Sequence, residues 1–492
     1  MQQHFRQIST IGFTSLVMGT WEILLTASGP ALQNGGLAGL FWSMIWCHVG
    51  QLFLVLSLAE MSSMAPAAGG QYQWVSKFAL RRYEMFLSYC SGWFCSVGWQ
   101  ARFASTCYMV AGILQMLVIH NGDDNYTYSR PQRGLMTIGI ASAVSAFNIF
   151  AAGHLSIAEG LFALCHVFAL VPIVVSLWVL ADKNPVSNAI GNFVDNSRYM
   201  PDHSSDWVST SLAVLVGQPC SIFILLGTDA VTHIAEEIEE ADVVVPRCIL
   251  WSFIGNTPLT ILTLFTFVFN CGRIDVLVSK ERPPFVLIFQ SALNYQPAVN
   301  TFTGVIIALM FMVATSTMVA TSRHLYSFGR DRAVSCSAWL GRVHPLFKVP
   351  FNAILCTVLA TTVLCAVCIN SSTAQHTMMC FSTASIHASY IVSLGCLILK
   401  RLRHEQLPPA RWTLGRSGLW INVLALIYCT WAAFWSFWPS QSSVSLTNFN
   451  WTPVLFVLVL VVAVTMFMNV QSRATKRALS FERIALGART VG

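Results

Sequence analysis

Long runs of apolar residues dominate this sequence and restrict what it can fold into. A helix of about 20 apolar residues spans a bilayer, because all its backbone polar groups pair within the segment. Only 10% of the 492 residues are charged, against about a quarter in soluble domains. The sequence therefore predicts an all-α integral membrane protein with twelve transmembrane helices. The predicted spans are residues 8–32, 37–61, 85–119, 135–152, 157–181, 208–231, 249–269, 299–326, 349–369, 374–399, 419–438 and 452–470.

The loops between these spans predict the orientation. Most of the 28 Lys and Arg residues lie on the same side as the N-terminus, which predicts that both termini are cytoplasmic. Three Asn-x-Ser/Thr sequons, at Asn125, Asn370 and Asn450, fall in loops predicted to be outside. Of the three, only Asn125 lies in a loop long enough for easy glycosylation, and it is the candidate glycosylation site. This bias also accounts for the net charge of +7, so no nucleic-acid partner is needed.

Two spans carry a similar interruption. Gly-Thr followed closely by an acid begins at Gly19 in the first span (GTWE) and at Gly227 in the sixth (GTD). A carboxylate facing lipid at a helix centre costs about 2.5–3.5 kcal/mol, so these acids should face a cavity. Inverted-repeat transporters place broken helices at the substrate site, although glycines also serve close helix packing. The predicted substrate-binding residues are Gly19, Thr20, Trp21, Glu22, Trp99, Phe223, Gly227, Thr228 and Asp229.

Four ionisable residues are candidates for proton coupling: Glu22, Glu159, His166 and Asp229. Burial favours the protonated form of a carboxyl, so such a group can take up a proton on one side and release it on the other. Glu159 and His166 are seven residues apart, on one helix face, and histidine titrates near neutral pH. The alternatives are structural hydrogen bonds for the acids and a core histidine. Arg102 is a candidate ion-pair partner for one of these acids.

An acidic run follows the sixth span. Its members Glu236 and Glu237, with Arg247, are candidates for a cytoplasmic gate, and a solvated face is the alternative. Aromatic residues such as Trp93, Trp99 and Phe223 could surround a cationic amine through cation–π contacts, with ordinary helix packing as the alternative.

Six ordered stretches, spread over nearly the whole chain, carry a family resemblance. They are GTWEILLTASGPALQNGGLAGLFW, SLAEMSSMAPAAGGQYQWVS, GTDAVTHIAEEIEEADVVVPRCIL, TSRHLYSFGRDRAV, HPLFKVPFNAI and TLGRSGLWINVLAL. They resemble the amino acid–polyamine–organocation superfamily, specifically the fungal amino-acid/choline transporter group that includes GABA and choline permeases.

The resemblance implies a five-plus-five inverted-repeat core with discontinuous helices 1 and 6 and two further C-terminal helices. Gly19, Thr20 and Gly227 match its unwound positions. The implied domains are a cytoplasmic N-terminus (1–7), the first repeat (8–181), an extracellular loop (182–207), the second repeat (208–399), helices 11 and 12 (400–470) and a cytoplasmic tail (471–492).

The resemblance also implies import of amino acids or small amines, such as GABA or choline, by alternating access. Proton coupling is expected, with no cofactor or metal, and the 15 cysteines lack metal-ligand spacing. The plasma membrane is the expected location, with the vacuolar membrane as the alternative. A nutrient-sensing receptor on the same fold and a membrane-embedded enzyme are the competing functions, but no metal or nucleophile motif supports the enzyme.

Overall fold

The computed structural model describes residues 7–122, 129–196, 207–272, 283–331, 334, 336–369 and 371–469, and this part of the chain is helical, without strands. The α-helices are α1 Gln7–Met18, α2 Thr20–Ala27, α3 Gly29–Met64, α4 Gln71–Phe78, α5 Glu84–Asn121, α6 Arg130–Phe150, α7 Leu155–Phe168, α8 Leu170–Leu180, α9 Thr210–Ile224, α10 Ala241–Asn270, α11 Pro284–Leu293, α12 Gln296–Arg330, α13 Ser337–Leu340, α14 Phe351–Val367, α15 Ala374–Leu402, α16 Gly418–Trp435 and α17 Thr452–Asn469.

Ten spans among the described residues are long and apolar enough to cross a membrane. They correspond to ten of the twelve predicted runs, with α1 and α2 forming one span and α7 and α8 another. The other two runs form the shorter helices α9 and α14. Among the described residues, three α-helices were not predicted: α4 follows the second span, the apolar α11 precedes α12, and the single-turn α13 follows it.

The long helices α3, α5 and α12 lie inside the bundle, whereas α17 and the α7–α8 span are mostly exposed. The most extensive contacts join α5 to α15 and α3 to α9. Close approach between α5 and α15 depends on Gly98, because a Cβ there would lie 2.9 Å from the backbone nitrogen of Ile386. Lipid tails are as apolar as leucine, so small residues at such contacts hold membrane helices together by close packing.

We call the end of the bundle where α1 begins and α12 ends the predicted cytoplasmic end. The division of the chain into two repeats at the boundaries given above stays a prediction. Asn125 and most of the predicted termini lie outside the described residues.

Candidate functional site

The first span breaks at Gly19, between α1 and α2. Gly19 has a positive φ of 49°, which places it in the left-handed region that favours glycine. A Cβ at this position would also lie 2.7 Å from Cγ2 of Val313 on α12. Both observations require glycine here, so the residue does more than allow close helix packing. The predicted interruption of the first span is confirmed.

The sixth span breaks after α9, at the predicted position. Gly227 has a φ of 102°, and a Cβ there would lie 3.1 Å from Cγ1 of Val17 on α1. The two breaks therefore lie against each other. Beyond Gly227 the chain forms a 3₁₀ helix, Ala230–Glu237, in place of the continuous α-helix of an ordinary span. Leu225 and Leu226 donate to carbonyls only three residues back, which tightens the end of α9.

Arg102 lies at the ends of both broken helices. Its guanidinium donates to the carbonyl oxygens of Val17 (2.8 Å) and Met18 (3.2 Å) at the end of α1, and to that of Phe223 (3.2 Å) near the end of α9. The guanidinium carbon also lies 4.9 Å from the Phe223 ring centroid. The expectation that Arg102 pairs with an acid is wrong, since in the described part of the chain no carboxylate lies within ion-pair distance of it. Helix carbonyls hold the cation instead.

A buried polar network lies beside the first break. Oε1 of Glu22 is 2.6 Å from Nδ1 of His166, and Nε2 of His166 is 3.1 Å from Oδ1 of Asn256. Thr20 donates to the same Asn256 oxygen at 3.1 Å, and Thr260 donates to Thr20 at 2.6 Å. All five side chains are buried. The sequence analysis missed Asn256 and Thr260, because nothing in a single apolar helix such as α10 indicates which polar residue meets another span.

Because Oδ1 of Asn256 can only accept, Nε2 of His166 donates to it. Two arrangements then place one proton between Nδ1 and the Glu22 carboxyl. In the first, the histidine is neutral with Nδ1 unprotonated, and the acid is protonated. In the second, the histidine is charged and the acid is ionised. The second oxygen of Glu22 has no partner among the described residues. The pair can consequently hold a proton away from bulk water.

Glu159 takes a different partner from His166, although the two were predicted to share a face. Oε2 of Glu159 accepts a hydrogen bond of 2.7 Å from Ser316 on α12, and Glu159 is fully buried. Both residues point inward from α7, but toward separate contacts. Within the described residues Glu159 has no cationic partner, so a proton on its carboxyl would reduce the cost of burial.

Asp229 lies directly after the second break. Nε2 of Gln71 donates to its Oδ2 at 2.6 Å, and Nε2 of His233 lies 3.5 Å from the same oxygen. His233 in turn packs edge-on against Trp99, at 5.3 Å between centroids, and against His324, at 4.7 Å. The structure therefore gathers Asp229 and Trp99 as predicted and adds Gln71 from α4. Trp93 lies elsewhere, against Tyr89 and Phe328.

The acidic run beyond the 3₁₀ helix pairs with α12. Glu237 lies 3.1 Å from the buried Arg323, and Glu236 forms two hydrogen bonds with Arg330, at 2.7 and 2.5 Å. The hydrogen bonds from Arg330 lower the pKa of Glu236. Arg247 is exposed and is not the partner of either acid. Arg247 was a candidate for the gate together with these acids, but α12 ends beside the 3₁₀ helix and supplies the arginines that pair with them.

A cavity of about 850 Å³ opens at the predicted cytoplasmic end, between the ends of α3 and α12, α4 and the start of α5. Tyr72 and Gln73 line it and donate to Asp331 at 2.8 and 2.9 Å. The ring of Tyr72 packs edge-on against His324, at 6.0 Å between centroids. His324 contacts His233, so a chain of polar aromatic residues separates this cavity from Asp229.

Comparison with known proteins agrees with this architecture. The solved structure of the manganese transporter of Eremococcus coleocola, in complex with an aromatic bis-isothiourea substituted compound, matches with a TM-score of 0.53 over 94% of each chain, at 11% sequence identity. At that identity the match shows the fold alone, and it is the fold expected from the two broken helices.

Three curated relatives match over 79–96% of their own length. A Macrophomina phaseolina protein whose name assigns it to the amino acid/polyamine transporters is 27% identical over 90% of this chain and 96% of its own. Amino-acid permease 2 of Neurospora crassa is 25% identical over 94% and 84%. The choline transporter of Saccharomyces cerevisiae is 25% identical over 93% and 79%. The family model described as amino acid permease matches residues 5–462, and the chain is therefore an integral membrane protein of the amino acid permease family.

Proposed function

We propose that this permease imports amino acids or small amines, such as GABA or choline, by alternating access driven by the proton gradient. The names of the relatives support these substrate classes. The substrate site lies where the two breaks meet, and it is formed by the residues around Gly19 and Gly227 together with Trp99 and Phe223. Broken helices at this position leave backbone groups free to meet a polar substrate.

The buried pair of Glu22 and His166 is the observation that carries the proposal. It lies directly beside the first break, both side chains are buried, and the pair can hold one proton. A substrate that enters at the break changes the electric field at the Glu22–His166 pair. Protonation of the pair in turn changes the contacts that hold α1 and α2 in position. Coupling of this kind is reciprocal between the two sites. Glu159 and Asp229 are the further proton candidates.

The ion pairs between the 3₁₀ helix and α12 form the inner gate in this proposal. Glu237–Arg323 and Glu236–Arg330 tie the segment after the second break to α12 at the predicted cytoplasmic end. Movement of that segment away from α12 would open the path from Asp229 past His233 and His324 to the cytoplasmic cavity. In this proposal both termini are cytoplasmic and the protein lies in the plasma membrane.

The test is radiolabelled uptake in yeast that lacks the corresponding transporters. GABA, choline and the standard amino acids are compared at pH 5 and pH 7.5, with and without a protonophore. Saturable uptake that is faster at pH 5 and collapses with the protonophore supports proton-coupled import. Absence of uptake from protein shown to reach the surface contradicts the proposal and favours a nutrient sensor.

A further inference from the structure

A fully buried cation occupies the point where the two broken helices end. The last carbonyls of a helix have no partners within the helix and carry about half a negative charge. Arg102 donates to such carbonyls at the ends of α1 and α9 together, so two helix dipoles balance one guanidinium. This arrangement explains how the charge is tolerated without a carboxylate beside it.

The same carbonyls are the groups that would hold the ammonium of a bound amine, because helix C-termini attract cations. In this chain they are already engaged by Arg102. A substrate whose only charged group is cationic would have to displace the guanidinium, and it would meet a fixed positive charge at close range. The site is therefore poorly suited to a cation that carries no anionic group.

Buried donors without partners lie on α5 and in the second break. Nε of Arg102 has no hydrogen-bond partner among the described residues, nor do the indole nitrogen of Trp99 and the hydroxyl of Thr228, and all three side chains are buried. Trp99 is three residues before Arg102 on α5, so the two share a face. Thr228 lies in the second break. Buried donors without acceptors are costly, and a bound anion would satisfy them.

We infer that Arg102 determines specificity by binding the carboxylate of the substrate, so that the permease takes carboxylate-bearing compounds and discriminates against choline and other amines that lack a carboxylate. A guanidinium has five N–H donors, and the three carbonyls engage at most three of those of Arg102, so donors remain for a carboxylate. Oδ1 of Asp229 is buried and unpartnered in the described structure, and it is available for the ammonium of a zwitterion. The inference rests on the proposed transport function and narrows its substrate class.

The experiment uses the purified full-length protein in lipid vesicles. Binding is measured as the ligand-dependent rise in the midpoint of thermal unfolding, and transport as uptake. The probes are GABA and the standard amino acids as zwitterions, butyrate as a carboxylate alone, and choline and butylamine as cations alone. The variants are Arg102→Ala and Arg102→Lys, and Arg82→Ala on an exposed arginine is the matched control.

The expected result is binding of at least one zwitterion, with choline and butylamine weaker by about 10- to 100-fold. Arg102→Ala should weaken zwitterion binding by a similar factor and reduce the discrimination against amines, while Arg82→Ala leaves both unchanged. Because the ratio between probes is measured in the wild-type protein, the inference remains testable if Arg102→Ala fails to fold.

Choline binding equal to that of the best zwitterion in the wild type overturns the inference. If choline is also transported in that case, the proposed function stands. Unchanged discrimination in a folded Arg102→Ala protein overturns it as well. If folded wild-type protein neither binds nor transports any probe, the inference and the proposed function both fail.

Discussion

Nδ1 of His166 lies 2.6 Å from Oε1 of Glu22, and both side chains are buried beside the break at Gly19. A histidine and a carboxylate in contact away from water share one proton, because losing it would leave an unpaired buried charge. The pair is held in place by Asn256 on one side and by α2 on the other. Its position next to the break links proton occupancy to the geometry of the first span.

Replacement of Glu22 by Gln should separate transport from its driving force. An amide at this position keeps the size of the side chain but cannot be ionised, so the pair no longer cycles a proton. We expect Glu22→Gln to lose accumulation against a gradient while exchange of labelled for unlabelled substrate continues in vesicles. His376→Gln, at another buried histidine, on α15, is the control. Full accumulation by Glu22→Gln would remove this pair from the coupling mechanism.

Replacement of Gly19 by Ala should be poorly tolerated. The left-handed backbone costs a residue with a side chain about 1–2 kcal/mol, and the new Cβ would press on Val313. We expect a lower thermal unfolding midpoint and a loss of transport. Adding Val313→Ala removes the contact but not the backbone strain, so it should restore stability only in part.

Gly255→Ala on α10 provides the matched control, because nothing lies within 4 Å of a Cβ built there. It should behave like the wild-type protein. Equal effects of Gly19→Ala and Gly255→Ala would show that the first break tolerates side chains and that its glycine is not required.

The two ion pairs of the inner gate should contribute very differently to stability. The Arg323–Glu237 side chains are each only 7% exposed, whereas those of Arg330–Glu236 are 37% and 43% exposed. Breaking a buried pair costs about 3–5 kcal/mol, because it leaves an uncompensated charge, and an exposed pair contributes about 0–1 kcal/mol. Arg323→Ala should therefore lower the thermal unfolding midpoint far more than Arg330→Ala. Similar shifts for the two variants would contradict this ranking.

The exposed ion pair, Arg330–Glu236, also has a defined pH dependence. Arg330 lowers the pKa of Glu236 in the folded protein relative to the unfolded chain. Its contribution is therefore present above the ordinary glutamate pKa of about 4.3 and is lost as the pH falls through the lowered value. The difference in thermal midpoint between wild type and Arg330→Ala should be constant from pH 7 to pH 5 and shrink only in more acidic buffer.

Glycosylation should distinguish two of the predicted outside sequons. Asn450 is buried, its amide donates to the carbonyls of Ser436 and Trp438, and its oxygen accepts from the backbone of Thr452. It is therefore unavailable for modification once the bundle has formed, whereas Asn125 stays the candidate site. In a eukaryotic host, Asn125→Gln should abolish the mobility shift produced by glycosidase and Asn450→Gln should not. A shift that depends on Asn450 would contradict the packing of this loop.

Local sequence signals were sufficient for the breaks but not for their partners. Gly19 and Gly227 stand out because glycine followed by an acid is rare in an apolar span, and both lie at positive φ. The position of Arg102 depends on carbonyls that are 84 and 121 residues away along the chain, and no periodicity encodes such a contact. Asn256 and Gln71 were missed for the same reason.

The limits of the helices followed hydropathy less closely where polar residues extend a helix. The run predicted at 249–269 belongs to α10, which begins earlier, at Ala241. The end of the acidic segment is part of this helix, and Asp242 in its first turn pairs with Arg411. The run at 208–231 is shorter as an α-helix, because the break after α9 diverts the chain into 3₁₀ geometry. Tertiary contacts therefore determined where both helices begin or end.

The short helix α14 has a consequence for the surrounding lipid. At 1.5 Å per residue its 17 residues extend about 26 Å, less than the hydrocarbon thickness of about 30 Å. Leu355, Leu359 and Val363 recur at four-residue intervals on its exposed side, which therefore faces the acyl chains. A helix this short is accommodated by thinning of the bilayer along this flank, by snorkelling of flanking residues or by oligomerisation, while the much longer α12 crosses the interior of the bundle. If the bilayer thins, the protein sets a smaller membrane thickness on one side, and lipids with shorter acyl chains should gather there.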